Sequence, residues 1–166
     1  MSRFDALREV VSPTLLRHAG EVSRLLRELE IPHVLIGGLA VGVHGHPRAT
    51  RDVDFLVGPE AFASTSPILV YRDEIRDIAA VGETDVMSVP DKYPGLAGEL
   101  RLEDDVPVIS LRGLVLLKLD AHRVRDREDV RALLAHAPDQ VRIVRDYLLE
   151  QAPELVSRLG EALAGR

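Results

Sequence analysis

Asp52 and Asp54, separated only by Val53, are the residues of this chain best suited to chemistry. On a β-strand, residues two apart project to the same face, so this pair would present two carboxylates side by side. Hard divalent cations such as Mg²⁺ take carboxylate oxygens together with substrate phosphates. Two such ions can activate an attacking oxygen and stabilise a leaving pyrophosphate. The competing reading is that Asp-x-Asp marks only the solvated face of an edge strand. Val53, Phe55, Leu56 and Val57 argue against it, because they make the strand mostly buried. Like charges on a buried strand repel and must be compensated. A metal ion could do so, or Arg48 and Arg51 from the preceding turn, which could equally contact phosphate.

Upstream, an apolar run over residues 33–36 stops at Gly37-Gly38. A glycine pair between a strand and a helix lets a phosphate come close to backbone N–H groups. Gly37-Gly38-x-x-x-Gly42 is a poor dinucleotide fingerprint. That motif requires Gly-x-Gly-x-x-Gly, a full crossover helix and an acid about 20 residues further on. Here the helix is cut short by His44-Gly45-His46-Pro47 and the acid comes too early. His44 and His46 flank this turn without matching ligands nearby in the sequence.

The elements that must position these residues follow from periodicity and punctuation. Ser12-Pro13 reads as an N-cap and first helical position, and apolar residues at helical spacing carry that helix to about residue 30. Ile31-Pro32 breaks it before a buried strand over 33–36. A short helix over 39–44 ends at Gly45 and Pro47, and a second strand spans 51–57. A turn over 58–62 and a loop over 64–67 follow. Strands are expected over 68–71, 75–81 and 83–89, then a mobile Pro/Gly-rich loop over 90–98 and a last strand over 106–109. Ser110 caps a helix containing Leu114, Leu117, Lys118 and Ala121. Asp126 and Asp129 read as capping acids of the next helix, which runs to about residue 137. Two further helices start at Pro138-Asp139 and Pro153-Glu154. The expected layout is one domain over 1–166, with an α/β part over 1–109 and a helical C-terminal part over 110–166.

A chain of 166 residues, 46% hydrophobic and 29% charged, can bury a core without staples. It has no cysteine, which excludes disulfides, zinc–thiolate sites and thiol nucleophiles. No run approaches the roughly 18 apolar residues of a membrane span. The N-terminal MSRFDALREV lacks the apolar region of a signal peptide, so a cytoplasmic location is expected. A net charge of −6 argues against indiscriminate nucleic-acid binding while leaving room for a local basic groove.

Strand, Gly-Gly, short helix and Arg-x-Thr-x-Asp-x-Asp together resemble the nucleotidyltransferase (polymerase-β-like) superfamily. The matching residues are Gly37, Gly38, Ala40, Gly45, Arg48, Thr50, Asp52 and Asp54. The nearest likeness is to the bacterial branch of AbiEii-type toxins and minimal nucleotidyltransferases. A third family carboxylate matches Asp85 in Glu83-Thr84-Asp85-Val86-Met87, with Glu83 as substitute. The segments 110–119 and 123–129 look like the family's helix pair, so the likeness covers most of residues 30–135. It implies an α/β (α+β) fold, a nucleotidyltransferase-like mixed β-sheet flanked by helices with a helical C-terminal third. It implies that Asp52, Asp54 and Asp85 hold Mg²⁺, with Mn²⁺ as substitute, and that Asp85 draws the acceptor's proton. Gly37 and Gly38 would cradle the triphosphate of an NTP, with Arg48 and Thr50 close by. Lys118 would either reach the phosphates or be an exposed helical lysine. The acceptor would be a hydroxyl of tRNA, protein or a small molecule. A toxin-like role beside a separately encoded antitoxin is implied, with no membrane partner.

Leu39 departs from the pattern, since the family often carries Ser or Thr there, whose hydroxyl helps hold the triphosphate. That leaves open a catalytically silent fold that binds a nucleotide or a protein partner. A small-molecule modifier of the antibiotic-adenylylating kind is a third reading, its substrate pocket walled by the helical C-terminal third.

Overall fold

The computed structural model describes residues 4–63, 70–80, 83–103 and 105–165. Helix α1 (Pro13–Glu28) begins where the sequence places it: the Ser12 hydroxyl accepts the Leu15 N–H at 3.2 Å and Pro13 takes the first position. Strand β1 (His33–Ile36) runs into α2 (Gly37–Val43), and β2 (Val53–Val57) returns beside β1. Helix α3 (Asp73–Ala80) leads to β3 (Thr84–Ser88). Four helices complete the chain: α4 (Leu111–Ala121), α5 (Val124–His136), α6 (Gln140–Gln151) and α7 (Val156–Leu163).

The three strands form a mixed sheet in the order β1-β2-β3. β2 is antiparallel to β1 and parallel to β3. Side-chain alternation assigns each residue to one face of the sheet. Val34, Ile36 and Leu56 face the C-terminal helices, in a core with Leu114, Leu116, Val130, Leu133 and Leu148. Leu35, Val53, Phe55 and Val57 face the other way, into a second core with Leu15, Val22, Leu26 and Ile75. Asp54 is two residues from Leu56 and therefore faces α4 and α5. The fold is α+β, with helices on both faces of the sheet and a helical C-terminal third.

Three expectations are corrected. Residues 75–80 do not form a strand, because Asp73–Ala80 is helical, and residue 81 of that expected strand lies outside the described residues. Asp73 and Glu74 supply acids to its first turn, and Ile75 and Ile78 bury one face at a spacing of three. Residues 106–109 make only one parallel bridge, Leu35 to Val108. The Leu35 N–H donates to the Pro107 carbonyl at 2.7 Å and the Ile109 N–H to the Leu35 carbonyl at 3.1 Å, and Pro107 has no N–H to continue a ladder. The stretch 90–98 is not a loose loop, because Pro94–Glu99 is a 3₁₀ helix pinned by buried Tyr93 and Leu96. Of the strand expected over 68–71, residues 68 and 69 lie outside the described residues, as does the loop over 64–67. Tyr71 forms a single bridge with Phe62, and their rings stack 4.7 Å apart. Among the described residues no helix is long and apolar enough to cross a membrane.

His33 is fully buried at the edge of the second core. Its Nδ1–H donates to the Ile31 carbonyl at 2.8 Å, so Nε2 accepts the Ser23 hydroxyl at 2.7 Å. Burial, with Arg27 nearby, holds its pKa below the ordinary 6.5, against an opposing hydrogen bond to Ile31. The folded state therefore binds fewer protons than the unfolded chain near pH 6. This contribution to stability is full above pH 6.5 and is lost as pH falls from there toward the lower folded-state pKa. Urea unfolding between pH 7.5 and 5.5 should show a steeper acid-side loss in wild type than in His33→Gln. Equal slopes would remove His33 from the account.

Candidate active site

β2 and β3 pair in parallel with Asp54 opposite Asp85. Register and alternation thus put two carboxylates side by side on the face toward α4, and Asp52 sits just before β2. All three line one cleft of about 440 Å³ between the sheet and α4. Gly37, Gly38, Arg48, Thr50 and Lys118 line the same cleft, so the eight residues singled out from the sequence converge. Glu83, the substitute for Asp85, adopts φ +62° ahead of β3 and is not part of this lining.

The two glycines are required by the side chains packed against them. Gly37 has φ +67°, and a Cβ there would fall onto the Asp54 side chain. A Cβ on Gly38 would lie 2.6 Å from the Thr50 hydroxyl oxygen. The Gly38 N–H donates to the Asp54 carboxylate. Burial, then the charges of Asp85 and Asp52, push the Asp54 carboxyl up to about 6, against Lys118 and the Gly38 N–H, which pull it down.

Arg48, Lys118 and Arg123 are paired with two acids of α5. Arg48 holds Asp129 through two bonds of 2.8 Å from Nε and Nη2. Lys118 Nζ reaches Asp126 at 2.9 Å and Asp129 at 2.8 Å. The backbone N–H and Nε of Arg123 both donate to Asp126, at 3.2 and 2.7 Å. Burial alone would raise both acids, but hydrogen bonds outweigh it and hold them below the ordinary carboxylate range: from Arg123 and Lys118 at Asp126, and from Arg48 and Lys118 at Asp129. Lys118 is therefore no exposed helical lysine; it is 7% exposed. Asp126 caps α5 as expected, whereas Asp129 is no capping acid but the buried centre of an ion network. Their spacing of three, on the face that also carries Val130 and Leu133, was the available signal. Arg51 is exposed, and Arg48 turns to Asp129, so the cations acting on Asp54 are Lys118 and Arg123. His44 bonds the Ile109 carbonyl at 2.7 Å, a tie between α2 and the approach to α4.

Leu39 is 1% exposed, inside the second core, and does not line the cleft. A hydroxyl at position 39 would face apolar packing. The hydroxyl nearest the glycines belongs to Thr50.

Among the described residues no three His, Asp or Glu side chains are gathered into a ready metal site. The donor set nevertheless fits a hard divalent cation, which would draw the carboxylates together. It consists of carboxylate oxygens, and burial together with their mutual repulsion raises Asp54 against the nearby charges of Lys118 and Arg123.

The chain belongs to a family described as a nucleotidyltransferase of unknown function (DUF6036), which matches residues 14–152. It is thereby placed in the nucleotidyltransferase superfamily. A solved structure similar to it is that of an antigenic nucleotidyltransferase-like protein from Paracoccidioides brasiliensis. The two are 17% identical, with 91% of this chain and 94% of that one covered at a TM-score of 0.45. No curated protein matches the chain.

Two outcomes follow. Asp54 binds more protons folded than unfolded between pH 3.8 and about 6, so its penalty on stability grows across that window and is complete above it. Asp54→Asn should stabilise the protein at pH 7.5 by at most about 3 kcal/mol, and the gain should vanish below pH 4. Thermal melts at the two pH values check this. Lys118→Met leaves two buried acids short of a partner and should cost about 3–5 kcal/mol in urea unfolding.

Proposed function

We propose that this chain is a Mg²⁺-dependent nucleotidyltransferase that moves a nucleoside monophosphate from an NTP to an acceptor hydroxyl. The observation that carries the reading is the unbalanced carboxylate group of Asp52, Asp54 and Asp85 beside Gly37-Gly38, in a cleft whose Arg48 and Lys118 are already paired. Asp52, Asp54 and Asp85 would hold Mg²⁺, or Mn²⁺ in its place, and the bound ion would supply charge neutralisation for the polyphosphate. Gly37 and Gly38 would let the triphosphate approach the turn, Thr50 offers a hydroxyl beside it, and Arg48 and Lys118 would border the phosphates while keeping their pairs. The acceptor oxygen would attack the α-phosphorus as the bond to the β-phosphate oxygen breaks. Pyrophosphate then leaves and Asp85 takes the acceptor's proton. Positioning and electrostatics supply most of the rate in such transfers.

The toxin-like role beside a cognate antitoxin, on the AbiEii pattern, is part of the same reading and rests on the motif likeness. A cytoplasmic location accords with it. The silent-fold alternative drew its support from Leu39, and the burial of that side chain away from the cleft removes the support.

Labelling should be followed with Mg²⁺ and each radiolabelled NTP, against tRNA, protein and small-molecule acceptors. Wild type should label one acceptor class. Asp52→Ala and Asp54→Ala should each lose on the order of 10³-fold in rate. Equal labelling by all three proteins would overturn the carboxylate assignment, and no labelling of any acceptor would favour the silent fold.

A further inference from the structure

The cleft is chemically two-sided, and phosphate and metal chemistry accounts for only the acidic side. The other wall is apolar, made by Met87 and Pro90 at the end of β3 and by Leu117 and Ala121 one turn apart on α4. Met87 is two residues beyond Asp85 and shares its face of β3. A ligand with phosphates at the carboxylates would reach this wall by extending along the strand.

One carboxylate, Asp120, stands in this part of the wall, well apart in sequence from the acids that face Gly37-Gly38. Its Oδ1 accepts the Tyr93 hydroxyl at 3.0 Å and Lys92 Nζ at 2.5 Å. Tyr93 is 2% exposed and shares its proton with Glu154 Oε1 at 3.0 Å. Burial and these two hydrogen bonds hold the phenol far above its ordinary pKa, so it stays protonated and donates to the two carboxylates. Arg158 Nη1 ties down the same end of α4 through the Leu119 and Asp120 carbonyls, at 3.0 and 3.2 Å. The carboxylate is thus fixed in orientation beside an apolar slot. That arrangement suits a flat ring with an amino group on its edge.

We propose that Met87, Pro90, Leu117 and Ala121 hold the base of the incoming nucleotide, and that Asp120 selects bases bearing an exocyclic amino group by accepting its hydrogen. This inference rests on the nucleotidyl-transfer reading. Adenine, cytosine and guanine each carry such an amino group, whereas uracil has none and sets two carbonyl oxygens about its N3–H, which a carboxylate repels. A hydrogen bond to a charged acceptor makes the discrimination roughly tenfold.

Calorimetry on the full chain with Mn²⁺ should compare ATP, CTP, GTP, UTP and inorganic triphosphate. Wild type should bind at least one amino-bearing nucleotide roughly tenfold more tightly than UTP. Asp120→Asn, whose amide both donates and accepts, should lose that preference while binding triphosphate as wild type does. Tyr93→Phe, which removes one of the two hydrogen bonds that orient Asp120 but leaves its charge and its Lys92 contact, should weaken the preference and serve as a second variant if Asp120→Asn fails to fold. Equal affinity for UTP and the amino-bearing nucleotides, with triphosphate bound, would overturn the slot and leave the phosphate site standing. A preference unchanged in Asp120→Asn would also overturn it. Failure of triphosphate to bind wild type would overturn the nucleotidyl-transfer reading and the slot with it.

Discussion

Parallel pairing of β2 with β3 sets Asp54 against Asp85, and much of the molecule is arranged around that one juxtaposition. Alternation along β2 sends Val53, Phe55 and Val57 into one core, leaving Asp54 and Leu56 for the other face. Leu56 is covered by the C-terminal helices. Asp54 is not fully covered, because the space above it is the cleft. Neighbouring groups adapt to its carboxylate: Gly37 vacates room for it, the Gly38 N–H donates to it, and Lys118 faces it.

The ion network on α4 and α5 shows how the charge is distributed. Arg48, Lys118 and Arg123 meet Asp126 and Asp129, so these basic groups are matched by acids of their own. Breaking one partner of such a set leaves a stranded charge, which makes the network a geometric lock. It joins the turn before β2 to both helices and fixes the two sides of the cleft relative to each other.

The site was legible in the sequence to the extent that it is local. Gly37-Gly38, Thr50, Asp52 and Asp54 fall within eighteen residues of each other, and the Asp-x-Asp pattern carries its face with it. Asp85 was reached through the family likeness, and the alternation of β3 places it on one face with Met87. Long-range pairing was not legible. Nothing in the spacing of Asp126 and Asp129 shows that Arg48, 81 residues from Asp129, closes on it. Leu39 looked like a missing hydroxyl because sequence order does not reveal which side of a short helix meets the core. The 75–81 stretch was misread because a helix with only two buried residues, Ile75 and Ile78, has too few apolar positions to declare its period.

The core that covers Leu56 has a dynamic consequence. Val34, Ile36 and Leu56 of the sheet pack in one cluster with side chains from α4, α5, α6 and α7. The floor and roof of the cleft therefore share a single cooperative unit, and the Arg48–Asp129 lock adds a polar tie across the same seam. Prising them apart would cost much of the free energy of global unfolding, unlike the low-energy hinges from which active-site lids are drawn. The cleft is preorganised, so a ligand enters a standing groove and is judged by its fit to rigid walls.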